Sequence, residues 1–188
     1  MTDMPIPDIR PWTNAALGMG AWRPWLTDRG SLTQRLQDQH PDFHVRKLAQ
    51  RVVRPHADEA AQLGLRPGQR ALIREVLLLG GDEPLIFAHT IIPLSGLRGP
   101  WQSLIGLGNR PLGAALFADP RITRFPLEYR RLDHCHPCFR EALRHLDEQP
   151  ARLWARRSQF SRHGHAILVT EVFLPKILRA ARQAHLQG

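Results

Sequence analysis

The hydrophobic pattern is strongest in two pairs of apolar segments, and each pair carries one charge where an apolar residue is expected. Gln69–Leu79 and Leu85–Pro93, joined by Gly80-Gly81-Asp82-Glu83-Pro84, predict a β-hairpin with a five-residue loop. Leu153–Ser161 and His165–Leu174, turning at Arg162-His163-Gly164, predict a second hairpin. In period-2 reading Arg74 shares a face with Leu72, Val76 and Leu78, while Glu171 shares one with Ile167, Val169 and Phe173. A buried, unpaired charge costs several kcal/mol, so each needs a partner, water or a ligand. The structural explanation is that the two pair with each other, or Arg74 with its neighbour Glu75. The functional one is a pocket for a small, mostly flat anion that also carries a hydroxyl.

The rest of the chain predicts elements around these hairpins. Trp25–His40 predicts a helix in which Ser31 is able to cap a turn and Leu26, Leu32 and Leu36 form a partial stripe. Phe43–Val53 alternates only partly and carries several basic groups, as an exposed edge strand does. Ala57–Leu63 predicts a short helix stopped by Gly64, before the turn Arg66-Pro67-Gly68. Ser95–Gly113 is a glycine-rich loop, and Pro111–Phe117 opens a short helix. Thr123–Leu132 predicts a strand, with Pro126 marking an edge or a bulge. Arg140–Glu148 predicts a helix, and residues after Pro175 suit an amphipathic C-terminal helix. About six hairpin-linked strands with helices in the connections define an α+β fold on a single antiparallel sheet. The helices cover one face and leave a pocket. One domain spans 1–188, with an irregular arm over 1–24, a segment 133–150 beyond the core pattern and a helical tail over 176–188.

Composition narrows the partners. The 188 residues are 43% hydrophobic and 23% charged, ordinary values for a globular domain. No apolar run approaches the ~20 residues needed to span a bilayer, so no membrane span is expected. The N-terminus, with Asp3, Asp8 and two early prolines, lacks a signal-peptide pattern, and a cytoplasmic location is the expectation. Net charge is +9, nearly all from arginine, since Lys47 and Lys176 are the only lysines. The charge is scattered, with no dense basic run and no aromatic–basic interleaving. A solvated basic surface therefore outweighs steering of an anionic substrate, and polynucleotide binding comes last.

The local motifs favour bland readings. Cys135-His136-Pro137-Cys138, beside His134, has the spacing of a zinc or redox pair, but no second cysteine pair exists and the strand–helix context of a redox motif is missing. Two cysteines on a surface connection are the better reading, and no metal is assigned. Gly106-Leu107-Gly108 lacks a third glycine and no Walker-type motif occurs, so nucleotide cofactors are disfavoured. No Gly-x-Ser-x-Gly elbow accompanies the serines and histidines. His89, within an apolar strand, reads as a satisfied core or edge histidine, and the five tryptophans as packing.

Ile73-Arg74-Glu75-Val76-Leu77-Leu78, Glu83-Pro84-Leu85 and Thr90-Ile91-Ile92-Pro93-Leu94-Ser95 resemble the strand pair of the chorismate lyase family. Arg110-Pro111-Leu112-Gly113, Leu153-Trp154-Ala155-Arg156-Arg157-Ser158 and Leu168–Pro175 follow in the family's order, and Trp25-Leu26 with Gly30-Ser31-Leu32-Thr33 matches a weaker pattern. The similarity is colinear from about Trp25 to Pro175. It implies a six-stranded antiparallel sheet with helical flaps over an internal pocket. It also implies conversion of chorismate to 4-hydroxybenzoate and pyruvate, the entry to ubiquinone in proteobacteria, without cofactor or metal. By match, Arg74 holds the ring carboxylate, Glu171 lies at the 4-hydroxyl end, and Leu112 and Leu32 contact the ligand. Leu32 stands where some members have methionine, and 133–150 has little counterpart in shorter members. The group for the enolpyruvyl carboxylate stays open among Arg156, Arg157 and amides of the glycine-rich loop. A monomer is expected, with chorismate and its products as partners and no nucleic acid. The rival is a non-catalytic sensing module of the same fold, as in transcription regulators. Those carry a winged helix-turn-helix that residues 1–24 are too short to form.

Overall fold

The computed structural model describes residues 11–178. Three helices precede or flank the first strand: α1 (Arg23–Leu26), α2 (Leu32–Gln39) and, after β1 (Phe43–Val53), α3 (Ala57–Gln62). The first hairpin is β2 (Ala71–Gly80) and β3 (Glu83–Pro93), followed by α4 (Leu94–Leu97) and α5 (Leu112–Ala118). Then come β4 (Thr123–Arg124), β5 (Glu128–Leu132), α6 (Pro137–Leu143) and the second hairpin, β6 (Leu153–Arg162) and β7 (His165–Phe173). All strands join one antiparallel sheet in the order β1-β2-β3-β7-β6-β4, with β5 also on β6. The two hairpins meet in its centre through β3 and β7.

The sheet has seven strands where the pattern predicts about six, because the expected strand over 123–132 breaks around Pro126 into β4 and β5, both paired to β6. The first hairpin turns more tightly than five residues. Gly81 takes a left-handed φ of +57°, and a bulge at Leu78/Leu79 lets Pro84 enter the strand. The helix expected over 25–40 is two helices. Asp28 Oδ1 accepts the Gly30 amide at 2.8 Å, and Ser31 Oγ accepts the Gln34 amide at 3.3 Å, so the chain restarts with its own cap. The helix expected from Arg140 starts earlier. Pro137 sits in its first turn, where a missing N–H is harmless, and His136 Nδ1 caps the Cys138 amide at 3.2 Å. Cys138 is thus 2% exposed within the core rather than on a surface connection. The N-terminal arm lies on the body through Thr13, which exchanges backbone hydrogen bonds with Tyr129. The C-terminal helix begins at 176–178, and the rest of that expectation falls outside the described residues.

Strict alternation gives the sheet two different faces. On the back, Leu77, Leu79, Phe87 and Val172 pack on Phe139 and Ala142 of α6, while Ile73, Ile91 and Leu168 pack near Leu63 after α3. On the front, Val76 and Leu78 pack beneath Leu32 and Leu36 of α2, and Leu72 and Ile167 beneath Leu112 and Leu116 of α5. The front helices lean on each other at their N-termini. A Cβ on Gly113 would sit 2.7 Å from Thr33 Oγ1, so glycine allows the two helices to meet. Between them and the sheet lies the cavity. Among the described residues no helix is long and apolar enough to cross a membrane.

Candidate functional site

The front cavity has mostly apolar walls and a few convergent polar groups, the lining a small-molecule site needs. Val76, Leu78, Ala88 and Val169 form the floor, and Leu32, Leu112 and Phe117 the roof. Four ionisable side chains enter it: Arg74 from β2, Arg124 from β4, Arg156 from β6 and Glu171 from β7. Both charges singled out in the sequence, and both leucines taken from the resemblance, thus line one space.

Arg74 and Glu171 do not pair. Arg74 lies opposite Thr90, and Glu171 opposite Ala88, on the two sides of β3. Two strand spacings across and two residues along place their Cα atoms roughly 12 Å apart. Arg74 is 2% exposed, and its Nη2 donates to the carbonyls of Gly108 at 3.1 Å and Arg110 at 2.9 Å. Among the described residues its buried Nε has no acceptor and no carboxylate pairs with it. Burial without a counter-charge lowers its pKa from the usual arginine value. The glycine-rich loop therefore offers carbonyls that aim this guanidinium. Glu75, the other expected partner, points to the back face and contacts His89 and Arg51.

Arg156 faces Glu171 directly across β6 and β7, and its Nε donates to Glu171 Oε2 at 2.5 Å. Its Nη1 donates to the carbonyls of Trp25 at 3.0 Å and Asp28 at 2.7 Å. The break after α1, unpredicted by the helical pattern, is what frees these carbonyls. Arg156 is consequently a brace for both Glu171 and the α1–α2 link. Arg157 is on the back face, bonded to Glu128 at 2.7 Å and Asp58 at 3.3 Å, away from the cavity.

Arg124 is the residue sequence reasoning missed. Its Nη1 donates to the Arg29 carbonyl at 2.6 Å, and its guanidinium lies 5.2 Å and 5.4 Å from the rings of Phe117 and Phe160. No carboxylate pairs with it among the described residues, and desolvation followed by the Arg156 charge lowers its pKa. Its signal in the sequence was weak: one arginine beside Pro126 in a two-residue strand. With Arg156 neutralised by Glu171, Arg74 and Arg124 leave the cavity two positive charges in excess. That suits a dianion.

His89 is buried as expected of a core histidine, but its surroundings are charged. Its ring nitrogens lie 3.0 Å from Glu75 Oε1 and 3.2 Å from Glu59 Oε1. Burial alone would lower its pKa, yet the Glu59 and Glu75 carboxylates beside its two ring nitrogens raise it to about 9.

Fold and cavity define an α+β small-molecule-binding domain, closed by helical flaps and charged for a compact dianion. The chain belongs to the chorismate lyase family, which it matches over residues 15–183. A probable chorismate pyruvate-lyase of Nitrosospira multiformis is 49% identical over 160 residues, covering 85% of this chain and 89% of that protein. One from Aromatoleum aromaticum is 52% identical over 158 residues, covering 83% and 85%. Among solved structures, the effector domain of PhnF from Mycobacterium smegmatis is similar with a TM-score of 0.53 at 16% identity, over 78% of this chain and 90% of that one. A GntR-family transcriptional regulator from Bacillus cereus gives 0.53 at 14% identity, over 72% and 93%. At such identities these two show a shared fold.

Proposed function

We propose that the protein is a chorismate pyruvate-lyase that eliminates enolpyruvate from chorismate, giving 4-hydroxybenzoate and pyruvate, the entry step to ubiquinone. The relatives support the activity. The observation that supports the site is the pair of guanidiniums, Arg74 and Arg124, that face one cavity with no carboxylate paired to either among the described residues.

Chorismate is a dianion, with a ring carboxylate at C1, a hydroxyl at C4 and a second carboxylate on the enolpyruvyl ether at C3. Loss of hydrogen from C4 and cleavage of the C3–O bond make the ring aromatic, so the driving force lies in the substrate. The protein orients it, excludes water and assists the movement of charge. Arg74 holds the ring carboxylate through the N–H donors that the Gly108 and Arg110 carbonyls leave free. Glu171, the only carboxylate lining the cavity among the described residues, meets the para hydroxyl through Oε1, the oxygen Arg156 leaves free. It is also the group in reach of the proton C4 gives up and of the ether oxygen C3 releases, a role worth roughly 10²–10⁴-fold. Arg124 takes the enolpyruvyl carboxylate, and its charge favours departure of enolpyruvate, which becomes pyruvate on protonation. Leu32 and Leu112 close the roof and keep the polar contacts dry.

The test is direct. Purified protein is mixed with chorismate, 4-hydroxybenzoate is followed by its ultraviolet spectrum, and pyruvate by a coupled dehydrogenase. Equal amounts of both products are expected. A protein that binds 4-hydroxybenzoate but never converts chorismate would be a sensing module instead.

A further inference from the structure

On the back of the sheet, away from the cavity, three elements each bring one metal-ligating side chain to a single point. Glu59 on α3, His89 on β3 and Cys138 in the first turn of α6 place their ligand atoms within 4.8 Å of one another, and all three are buried. His89 Nε2 and Glu59 Oε1 are 3.2 Å apart, yet Nε2, a fully buried atom, makes no hydrogen bond among the described residues. The two atoms are close without lying on an N–H···O line, as when both aim at a common third point. Two ligands on one tetrahedral zinc ion with bonds near 2.0 Å stand about 3.3 Å apart. The other ring nitrogen, Nδ1, is held 3.0 Å from Glu75 Oε1. This is the carboxylate–imidazole arrangement that fixes the ring of a metal-bound histidine. Charge closes as well. A dication balances one thiolate and the Glu59 carboxylate, while Glu75 has Arg51 Nη1 at 3.4 Å.

We propose that Glu59, His89 and Cys138 bind one divalent transition-metal ion, zinc by the mixed nitrogen, oxygen and sulfur donor set, with water in the fourth position. The ion clamps α3 and α6 onto the back of β3. It gives a purpose to the 133–150 segment, which carries Cys138, and takes no part in the lyase reaction, because β3 turns His89 away from the cavity. Glu75→Gln weakens the site about tenfold to a hundredfold by releasing the imidazole.

The experiment uses the full chain after chelator treatment and dialysis. Zinc is added and protein-bound metal counted; in parallel, cobalt(II) is added and its absorption recorded. One zinc per chain, a higher thermal midpoint and a thiolate-to-cobalt band with intense tetrahedral visible bands are expected. Cys138→Ser loses the thiolate band and the thermal gain. Cys135→Ser, altering the partly exposed Asp133–His134–Cys135 group, keeps both. A wild-type chain that retains no zinc, or a Cys138→Ser chain with an unaltered cobalt spectrum, overturns the proposal. The wild-type spectrum decides alone should Cys138→Ser not fold.

Discussion

Arg156 and Glu171 are cross-strand neighbours locked in a 2.5 Å ion pair, and Arg156 is 1% exposed. Their pairing settles how the charges of the cavity divide. Because Arg156 also caps the carbonyls after α1, the flap that begins at α2 and the carboxylate on β7 share one anchor. Glu171 is held at one oxygen, and its other oxygen has no hydrogen-bond partner among the described residues. Arg74 and Arg124 are left as the cavity's two guanidiniums without a paired carboxylate among the described residues.

Arg74→Ala is expected to lower kcat/KM for chorismate by about a hundredfold or more, the usual loss when a preorganised donor is removed. Arg74→Lys recovers little, because an ammonium does not reproduce a planar fork. Circular dichroism should remain that of the wild type, since the floor residues stay in place. Near-normal turnover by Arg74→Ala would remove the carboxylate clamp.

Glu171→Gln keeps the shape and removes the charge. The expected outcome is a fall in kcat of roughly 10²–10⁴-fold with 4-hydroxybenzoate still bound, because the amide oxygen still accepts from Arg156 and the amide nitrogen can donate to the phenol oxygen. Single-turnover measurements separate the two effects. An unchanged chemical step would leave Glu171 as a positioning group.

The two central hairpins were legible because an alternating strand writes its face into every second residue, and a charge on the apolar face stands out. That placed Arg74 and Glu171 on one wall before any coordinates. Arg156 and Arg157 show where such reading stops. Adjacent in sequence, they point to opposite faces, and only the register of β6 against β7 says which one meets Glu171. Arg124 was missed because a two-residue strand has no period to read. The buried cluster was missed for another reason: Glu59, His89 and Cys138 come from three separated segments, and no local spacing joins them.

Arg124→Gln tests the assignment of the second carboxylate, since chorismate carries that group and 4-hydroxybenzoate does not. KM for chorismate should rise about tenfold or more, as when a charged hydrogen bond of roughly 1.5–3 kcal/mol is lost. The inhibition constant of 4-hydroxybenzoate should move little. Equal loss for both ligands would assign Arg124 to general packing over Phe117 and Phe160.

Gly113→Ala tests whether the flaps retain product. The product keeps the groups that Arg74 and Glu171 hold, so its release from beneath α2 and α5 is expected to limit turnover. Wild-type protein then shows a burst of 4-hydroxybenzoate equal to the enzyme, followed by a slower steady rate. The new methyl would meet Thr33 Oγ1 at 2.7 Å and Ser31 Oγ at 3.3 Å, forcing the helices apart. Overpacking of this kind costs about 1–3 kcal/mol. The inhibition constant for 4-hydroxybenzoate should therefore rise at least several-fold and the burst should shrink. Adding Thr33→Ala removes the nearest clash and should restore part of the product affinity. A linear wild-type trace would show that release is not limiting, and an unchanged inhibition constant in Gly113→Ala would show that contact between the two helices does not hold the product.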